Sequence, residues 1–80
     1  MGQDELTPRE LDVLELLALG LSYQAVAQTL GVTANTVRTH VRAIYAKLGV
    51  NSKTAAVITG VIRGLIDIEG RAHGREAGRR

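Results

Sequence analysis

The stretch LSYQAVAQTLGVTANTVRTHVRAIYAKLGV, residues 21–50, contains two helical segments separated by a short turn. Each segment follows a serine or threonine, whose hydroxyl oxygen can accept a hydrogen bond from a free backbone N–H of the first helical turn. Gly31 ends the first segment, because glycine adopts the left-handed conformation that closes many helices. The pattern predicts helices over residues 23–30 and 34–48, joined as a helix-turn-helix.

A further helix is predicted on each side of this pair. The stretch LTPREL, residues 6–11, has Thr7 as the N-cap and Pro8 at the first helical position. Glu10 is placed to complete a capping box with Thr7. No stretch alternates between apolar and polar residues with a period of two, so no strand is predicted. The expected fold is all-α, a four-helix helix-turn-helix domain with helices over about 8–19, 23–30, 34–48 and 53–66.

The composition of the 80 residues indicates one small folded domain. With 45% hydrophobic residues and Tyr23 and Tyr45 as the two aromatic residues, the core must be aliphatic. The chain has no cysteine, which excludes disulfides and thiolate metal sites. It has neither an apolar run of membrane-spanning length nor a secretory signal, so a cytoplasmic location is expected. The domain is expected over residues 6–67, after an acidic lead or cloning remnant at 1–5 and before a Gly- and Arg-rich tail, expected to be disordered, at 68–80.

Charge is distributed unevenly along the chain, although the formal net charge is only +2. Residues 1–21 contain five acids and one arginine, a net charge of −4. Residues 22–53 contain four basic residues and no acid, a net charge of +4. A segment that contains only cations is typical of a protein face that prefers anions.

The third predicted helix divides into an aliphatic face and a polar, cationic face when its residues are placed 100° apart. The polar face contains no acid, whereas an ordinary solvated helix commonly carries Glu–Lys pairs. Arginine can bind guanine with its two-donor fork, and Asn and Thr can meet base edges in the major groove. The residues predicted to contact bases are Arg38, Thr39, Arg42 and, more weakly, Asn35.

Four motifs occur in order along residues 6–66: LTPRE, VAQTLGV, TVRTHV and KLGV. In order and spacing they resemble the LuxR/NarL-type, or GerE-type, helix-turn-helix domain of bacterial transcription regulators. The resemblance implies that the third helix enters the major groove of DNA, with base-contact positions at Arg38, Thr39 and Arg42. The sequence departs from the family pattern at Tyr23, where Asn is more usual, and at Lys53, where Arg is common.

Contacts to DNA phosphates are expected at the helix starts and on the flanks of the third helix, around the base-contact residues. The resemblance implies such contacts for Thr36 and Lys47 in particular. His40 matches the family's histidine, and a catalytic role is not expected because no nucleophile or second ligand has a useful spacing from it. The predicted phosphate contacts are Ser22, Thr33, Thr36, His40, Lys47 and Lys53.

The fourth predicted helix carries small residues four positions apart. A glycine in a helix interior costs up to about 1 kcal/mol, so two glycines in one helix indicate either the close approach of another helix or a weak helix tolerated near a chain end. An approaching helix would belong either to the same domain or to a dimer partner, and the family resemblance favours the partner. The predicted dimer interface comprises Ala56, Gly60, Arg63 and Gly64.

Two other classes of protein share part of this pattern. A sigma-factor region 4 domain has a similar capped first helix and TVR turn, but it usually carries Arg at position 40 and lacks the dimer helix. A small helical protein-interaction module would use the basic helix for an acidic partner. Duplex DNA binding with a steep salt dependence would separate that module from the two DNA-binding classes.

An enzyme is not expected, since the sequence lacks paired carboxylates in a pocket, a His/Cys cluster and a glycine-rich phosphate loop. The expected function is sequence-specific binding of double-stranded DNA in transcription regulation. The expected partners are double-stranded DNA, a second copy of the chain through the fourth helix, and RNA polymerase. No cofactor, metal ion, membrane or small-molecule site is expected.

Overall fold

The computed structural model describes residues 5–67 and contains four helices in this range. They are α1 (Pro8–Ala18), α2 (Tyr23–Leu30), α3 (Ala34–Leu48) and α4 (Lys53–Ile62). Residues 5–67 contain no strand, which confirms the predicted all-α class for this part of the chain. The bounds of α2 and α3 are those predicted from the sequence. The predictions for the tail at 68–80 and for the first four residues of the lead lie outside the described residues.

A hydroxyl side chain caps the N-terminus of each of these four helices, as the sequence predicts for α1, α2 and α3. Thr7 Oγ1 accepts a hydrogen bond from the Glu10 N–H at 3.1 Å, and Glu10 Oε1 accepts one from the Thr7 N–H at 2.9 Å. This pair completes the capping box. The other three caps each accept a hydrogen bond at 3.1 Å from the N–H three residues later, and they are Ser22, Thr33 and Ser52.

The turn between α2 and α3 brings the two helices close together. Gly31 has a φ of 73°, a left-handed conformation that residues with a Cβ atom rarely adopt. Across the turn the Val32 N–H donates a hydrogen bond to the Ala27 carbonyl at 2.9 Å, which satisfies a carbonyl at the end of α2. Ala27 is only 5% exposed, so the small side chain lies in the packed region next to the turn. The two helices form the predicted helix-turn-helix.

The end of α4 corrects the prediction of a helix over 53–66, because the helix stops at Ile62. Gly64 has a φ of 74°, and the Leu65 N–H donates to the Gly60 carbonyl at 2.8 Å. This hydrogen bond closes the helix as a Schellman motif. The reversal returns Ile66 to the core, where it is 4% exposed. The apolar residues after Gly64 therefore belong to a return of the chain and not to a fourth turn of helix.

The core is aliphatic and receives side chains from all four helices. α1 and α3 each pack against the three other helices, so they form the centre of the described domain. Leu14 of α1 and Ile44 of α3 are among the largest fully buried side chains. The packing therefore fixes the orientation of α3 about its own axis, which decides the side chains that α3 presents to solvent.

The small residues of α4 face this core. Ala56 is fully buried, and a Cβ atom at Gly60 would lie 3.0 Å from Leu14 Cδ2 and 3.2 Å from Ile66 Cγ1. The helix that approaches α4 closely is therefore α1 of the same protomer. This corrects the assignment of Ala56 and Gly60 to a dimer interface, because both residues are buried within their own domain.

Candidate nucleic-acid interface

The polar face of α3 is exposed to solvent along its length. Its side chains with hydrogen-bonding or cationic groups are Asn35, Arg38, Thr39 and Arg42, all of them exposed. The opposite face consists of buried aliphatic residues that anchor the helix in the core, and they are Val37, Val41, Ile44 and Leu48. The structure thus brings the four sequence-predicted base-contact residues onto one accessible surface, which we call the α3 polar face.

The α3 polar face carries positive charge without nearby neutralisation. Neither Arg38 nor Arg42 forms an ion pair with an acid of residues 5–67, where the ion pairs present join Arg9 to Asp12 and Lys47 to Glu10. An arginine without an acidic partner keeps its full charge and its fork of donors for a ligand. The face is therefore suited to an anion that also presents hydrogen-bond acceptors.

Arg38 has a neutral aromatic neighbour instead of an acid. The carbon atom of its guanidinium group lies 5.9 Å from the centroid of the Tyr23 ring, within the range of a cation–π interaction. Tyr23 is the first residue of α2 and is half-buried. Sequence reasoning missed this contact, since it treated Tyr23 only as a departure from the family pattern. The spacing of 15 positions between the two residues gives no local signal for it.

The hydroxyl groups near the helix starts are partly engaged within the domain. Ser22 Oγ and Thr33 Oγ1 each accept a backbone hydrogen bond as N-caps, and Thr33 Oγ1 lies 3.1 Å from Thr36 Oγ1. Capping uses an oxygen lone pair, so the O–H of Ser22 is still able to donate to another acceptor. Thr39 Oγ1 donates to the Asn35 carbonyl at 3.2 Å, which leaves its methyl group and lone pairs for a ligand.

Lys47 points to α1 and not to the α3 polar face. Its Nζ lies 2.8 Å from Glu10 Oε1 and donates a second hydrogen bond to the Glu5 carbonyl at 3.2 Å. The Glu10 side chain is 7% exposed and that of Lys47 is 23% exposed. Burial alone would raise the pKa of the Glu10 carboxyl, but the Lys47 ammonium and the Thr7 N–H together hold it below its usual value.

This geometry corrects the assignment of Lys47 to a phosphate contact. A nearly buried carboxylate is costly without a partner, and Lys47 supplies that partner. The remaining sequence-predicted phosphate residues have mixed exposure. Lys53 is exposed at the first position of α4, whereas Thr36 and His40 are half-buried on α3.

α4 presents an apolar face that sequence reasoning missed. Ile58 is 52% exposed, Val61 36% and Ile62 78%, at the i, i+3 and i+4 spacing of one helix side. The spacing was visible in the sequence, but it could not be separated from a core-facing stripe. The other two sequence-predicted dimer residues, Arg63 and Gly64, are exposed just after the end of α4. We call the three aliphatic residues the α4 apolar face.

The described residues contain neither a cluster of metal-binding side chains nor a membrane-spanning helix. Within residues 5–67, no three His, Asp or Glu side chains are grouped so that they could hold a metal ion. None of the helices in this part of the chain combines the length and apolar character needed to cross a membrane.

Comparison with known proteins gives a consistent family. Residues 4–59 match the model of the bacterial regulatory proteins, luxR family. The chain is 40% identical over 68 residues to the transcriptional regulatory protein YdfI of Bacillus subtilis, and the aligned region covers 85% of this chain and 32% of YdfI. It is 49% identical over 53 residues to the nitrate/nitrite response regulator protein NarP of Escherichia coli, covering 66% of this chain and 25% of NarP.

A third relative is the probable transcriptional regulatory protein NarL of Mycobacterium tuberculosis, 44% identical over 62 residues, with 78% of this chain and 29% of that protein covered. The chain thus spans about a third or less of the length of these relatives. The family match covers the capped α1, the helix-turn-helix and most of α4, and it distinguishes the chain from a sigma-factor region 4 domain. The chain belongs to the LuxR family of bacterial regulatory proteins, a family of DNA-binding transcription regulators.

Proposed function

We propose that this chain binds double-stranded DNA sequence-specifically in transcription regulation, with α3 in the major groove. The observation that carries the proposal is the α3 polar face, which is exposed, cationic and free of acids while the opposite side of α3 is locked in the core. A helix presented in this way after a short helix and a tight turn has the geometry of a recognition helix.

The base contacts are assigned to the four exposed polar residues of this face. Arg38 and Arg42 each have a fork of donors that matches the O6 and N7 acceptors of guanine. Asn35 has the donor and acceptor that adenine requires. Thr39 uses its hydroxyl proton in the bond to the Asn35 carbonyl, so its methyl group is the part suited to a thymine methyl.

The phosphate contacts are assigned to groups at the helix starts and on the flank of α3. The hydroxyls of Ser22, Thr33 and Thr36 lie at the starts of α2 and α3, where helix N-termini favour anions. Lys53 supplies an exposed cation at the start of α4, and His40 contributes from the flank of α3. These groups position the domain on the duplex without selecting its sequence.

The proposed dimer contact is the α4 apolar face, with Arg63 and Gly64 at its end. Three exposed aliphatic residues on one helix side lose contact with water when a second copy covers them. A two-fold dimer of this kind binds inverted half-sites about one helical turn apart. RNA polymerase is a proposed partner of the whole regulator, without an assigned surface on this chain.

The experiment is selection of bound sequences from a random duplex library, followed by affinity measurements on the selected duplex and a scrambled one. Arg38→Ala and Arg42→Ala should each reduce the discrimination between the two duplexes by about 5- to 150-fold, the range for loss of one bidentate base contact. Arg9→Ala is the matched control, because Arg9 is an exposed arginine on α1. Its discrimination should equal that of the unmodified chain.

Three results would contradict the proposal, either in one residue assignment or as a whole. An arginine variant with unchanged discrimination would remove that side chain from the base contacts. Enrichment of no common sequence would exclude specific binding. A failure to bind any duplex would favour the alternative of a protein-interaction module.

A further inference from the structure

The contact between Arg38 and Tyr23 links the start of α2 to the α3 polar face. The 5.9 Å distance from the guanidinium carbon to the ring centroid places the charge over an aromatic ring that belongs to the other helix of the helix-turn-helix. A ring attracts the cation without neutralising it, whereas an acid at the same place would neutralise Arg38 and repel phosphate. The contact therefore restrains Arg38 and preserves its charge for a ligand.

The Tyr23 ring is itself held in place. It is half-buried and packs against the aliphatic core, as does Tyr45 of α3. Tyr45 follows Arg38 by seven residues, or about two helical turns, so the two side chains project from the same side of α3. Burial raises the pKa of the Tyr45 hydroxyl, and the neighbouring Tyr23 raises it further. Tyr45 is accordingly neutral near neutral pH, and the Tyr23 ring lies against a fixed part of α3.

We propose that Tyr23 is a positioning residue for base recognition, whose ring holds the Arg38 guanidinium in a restricted set of orientations before DNA is bound. This inference rests on the proposed base contact of Arg38. A long flexible side chain loses rotamer freedom when it forms a specific contact, and a side chain ordered in advance loses less. The resulting gain in binding free energy applies to the one base pair that Arg38 contacts and to no other part of the duplex.

The alternative role for Tyr23 is a direct bond from its hydroxyl to a phosphate. The two roles differ in the part of the side chain that acts. Tyr23→Phe removes the hydroxyl and keeps the ring, whereas Tyr23→Leu and Tyr23→Gln remove the ring. A positioning role therefore requires that Tyr23→Phe behave like the unmodified chain and that both ringless variants lose discrimination.

The test uses the complete 80-residue chain, the duplex selected from the random library, and a duplex altered at the base pair on which Arg38→Ala has its effect. Tyr23→Leu and Tyr23→Gln should each reduce discrimination at that base pair by about two- to fivefold, the range for an exposed cation–π contact. Discrimination at the other base pairs, and the dependence of affinity on salt, should not change. In the Arg38→Ala background the same substitutions should have no further effect, because the coupled partner is gone.

An NMR measurement on the DNA-free protein tests the same variants for the contact itself. The ring current of Tyr23 should shift the NMR signals of the Arg38 side-chain protons, and the shift should persist in Tyr23→Phe and vanish in both ringless variants. Circular dichroism melting identifies a ringless variant that has lost its fold, and the other ringless variant then carries the test.

The outcomes separate this inference from the proposed function. If Arg38→Ala keeps full discrimination, the base contact and the positioning role fail together. If Arg38→Ala loses discrimination but folded ringless variants keep or exceed it, only the positioning role of Tyr23 is refuted. Equal weakening of selected and altered duplexes by Tyr23→Phe would assign the hydroxyl to phosphate and likewise overturn the positioning role.

Discussion

The ion pair between Glu10 and Lys47 should contribute measurably to stability, and Glu10→Gln tests it with almost no change in side-chain shape. The Nζ–Oε1 distance is 2.8 Å, and the two side chains are 7% and 23% exposed. A hydrogen bond between charged groups in such a setting contributes about 1.5–3 kcal/mol, well above the 0–1 kcal/mol of an exposed pair. The amide oxygen of Gln can still accept the hydrogen bond from the Thr7 N–H, so the capping box is retained.

We therefore expect Glu10→Gln to lower the free energy of unfolding by roughly 2 kcal/mol at neutral pH. For a domain of this size, 1 kcal/mol corresponds to a change in Tm of about 4–8 °C, so the variant should melt roughly 8–16 °C lower. Thermal denaturation followed by circular dichroism gives the Tm of each protein. Asp12→Asn is the matched control, because it breaks the Arg9–Asp12 pair, which is longer at 3.6 Å and has both side chains about half exposed.

The pH dependence has a defined sign. The folded-state pKa of Glu10 lies below its ordinary value of 4.5, so its stabilising effect is fully present above that value and is lost as the pH falls through the folded-state pKa. The difference in Tm between the unmodified chain and Glu10→Gln should therefore shrink as the pH falls below 4.5. Equal melting temperatures at neutral pH, or a difference that stays constant into strong acid, would refute an electrostatic role for the pair.

Three other predictions concern different surfaces. Ile62→Lys should weaken self-association and binding to an inverted repeat, measured by analytical ultracentrifugation and DNA titration. The control Leu19→Lys changes an exposed leucine that follows α1 and should leave both unchanged. Equal effects would exclude a specific role of the α4 apolar face. Lys53→Gln should reduce the slope of log affinity against log salt by about 1 per binding site. Lys47→Met should not change the slope, because the charge of Lys47 is already paired with Glu10. The opposite pattern would restore Lys47 as a phosphate contact. Gly60→Val should lower the free energy of unfolding by about 1–3 kcal/mol, because the added atoms meet Leu14 and Ile66. An unchanged Tm would contradict the close approach of α4 to α1.

Helix starts could be predicted from the sequence because their determinants lie within four residues of each other. The side chains of Thr7 and Glu10 each accept a hydrogen bond from the other residue's backbone N–H. Ser22 and Thr33 each accept one such bond, from the N–H three residues later. The division of α3 into two faces could also be predicted, since the spacing of its aliphatic residues follows from helix geometry alone. The exposure of Arg38 and Arg42 is a direct consequence of that spacing.

The end of α4 could not be predicted in the same way. Leu65 and Ile66 continue the apolar character of the helix, and a glycine at position 64 is compatible with either a weak helix or a stop. The outcome depends on whether Ile66 gains more contact by returning to the core, and that contact lies with Gly60 and the rest of the folded domain. Tertiary packing decided this boundary.

The partner of Lys47 was also beyond the sequence, because Glu10 is 37 positions away. A lysine near a basic surface has the same local pattern whether it binds phosphate or a buried carboxylate. In α4, likewise, small residues and isoleucines form two stripes, and only the position of α1 decides that Ala56 and Gly60 are inside while Ile58 and Ile62 are outside.

These corrections alter the expected balance of the DNA contact. With Lys47 engaged by Glu10, the exposed cations of residues 22–53 are the two arginines assigned to bases and Lys53. Each phosphate neutralised contributes about 0.9 to the salt slope, so these three cations by themselves should bind random DNA weakly. Under the proposed function, the remaining affinity for an operator comes from base contacts and from joining two domains on inverted half-sites. If the proposed dimer forms through the α4 apolar face, both contributions double, and the salt slope on an inverted repeat should be about twice that on an isolated half-site.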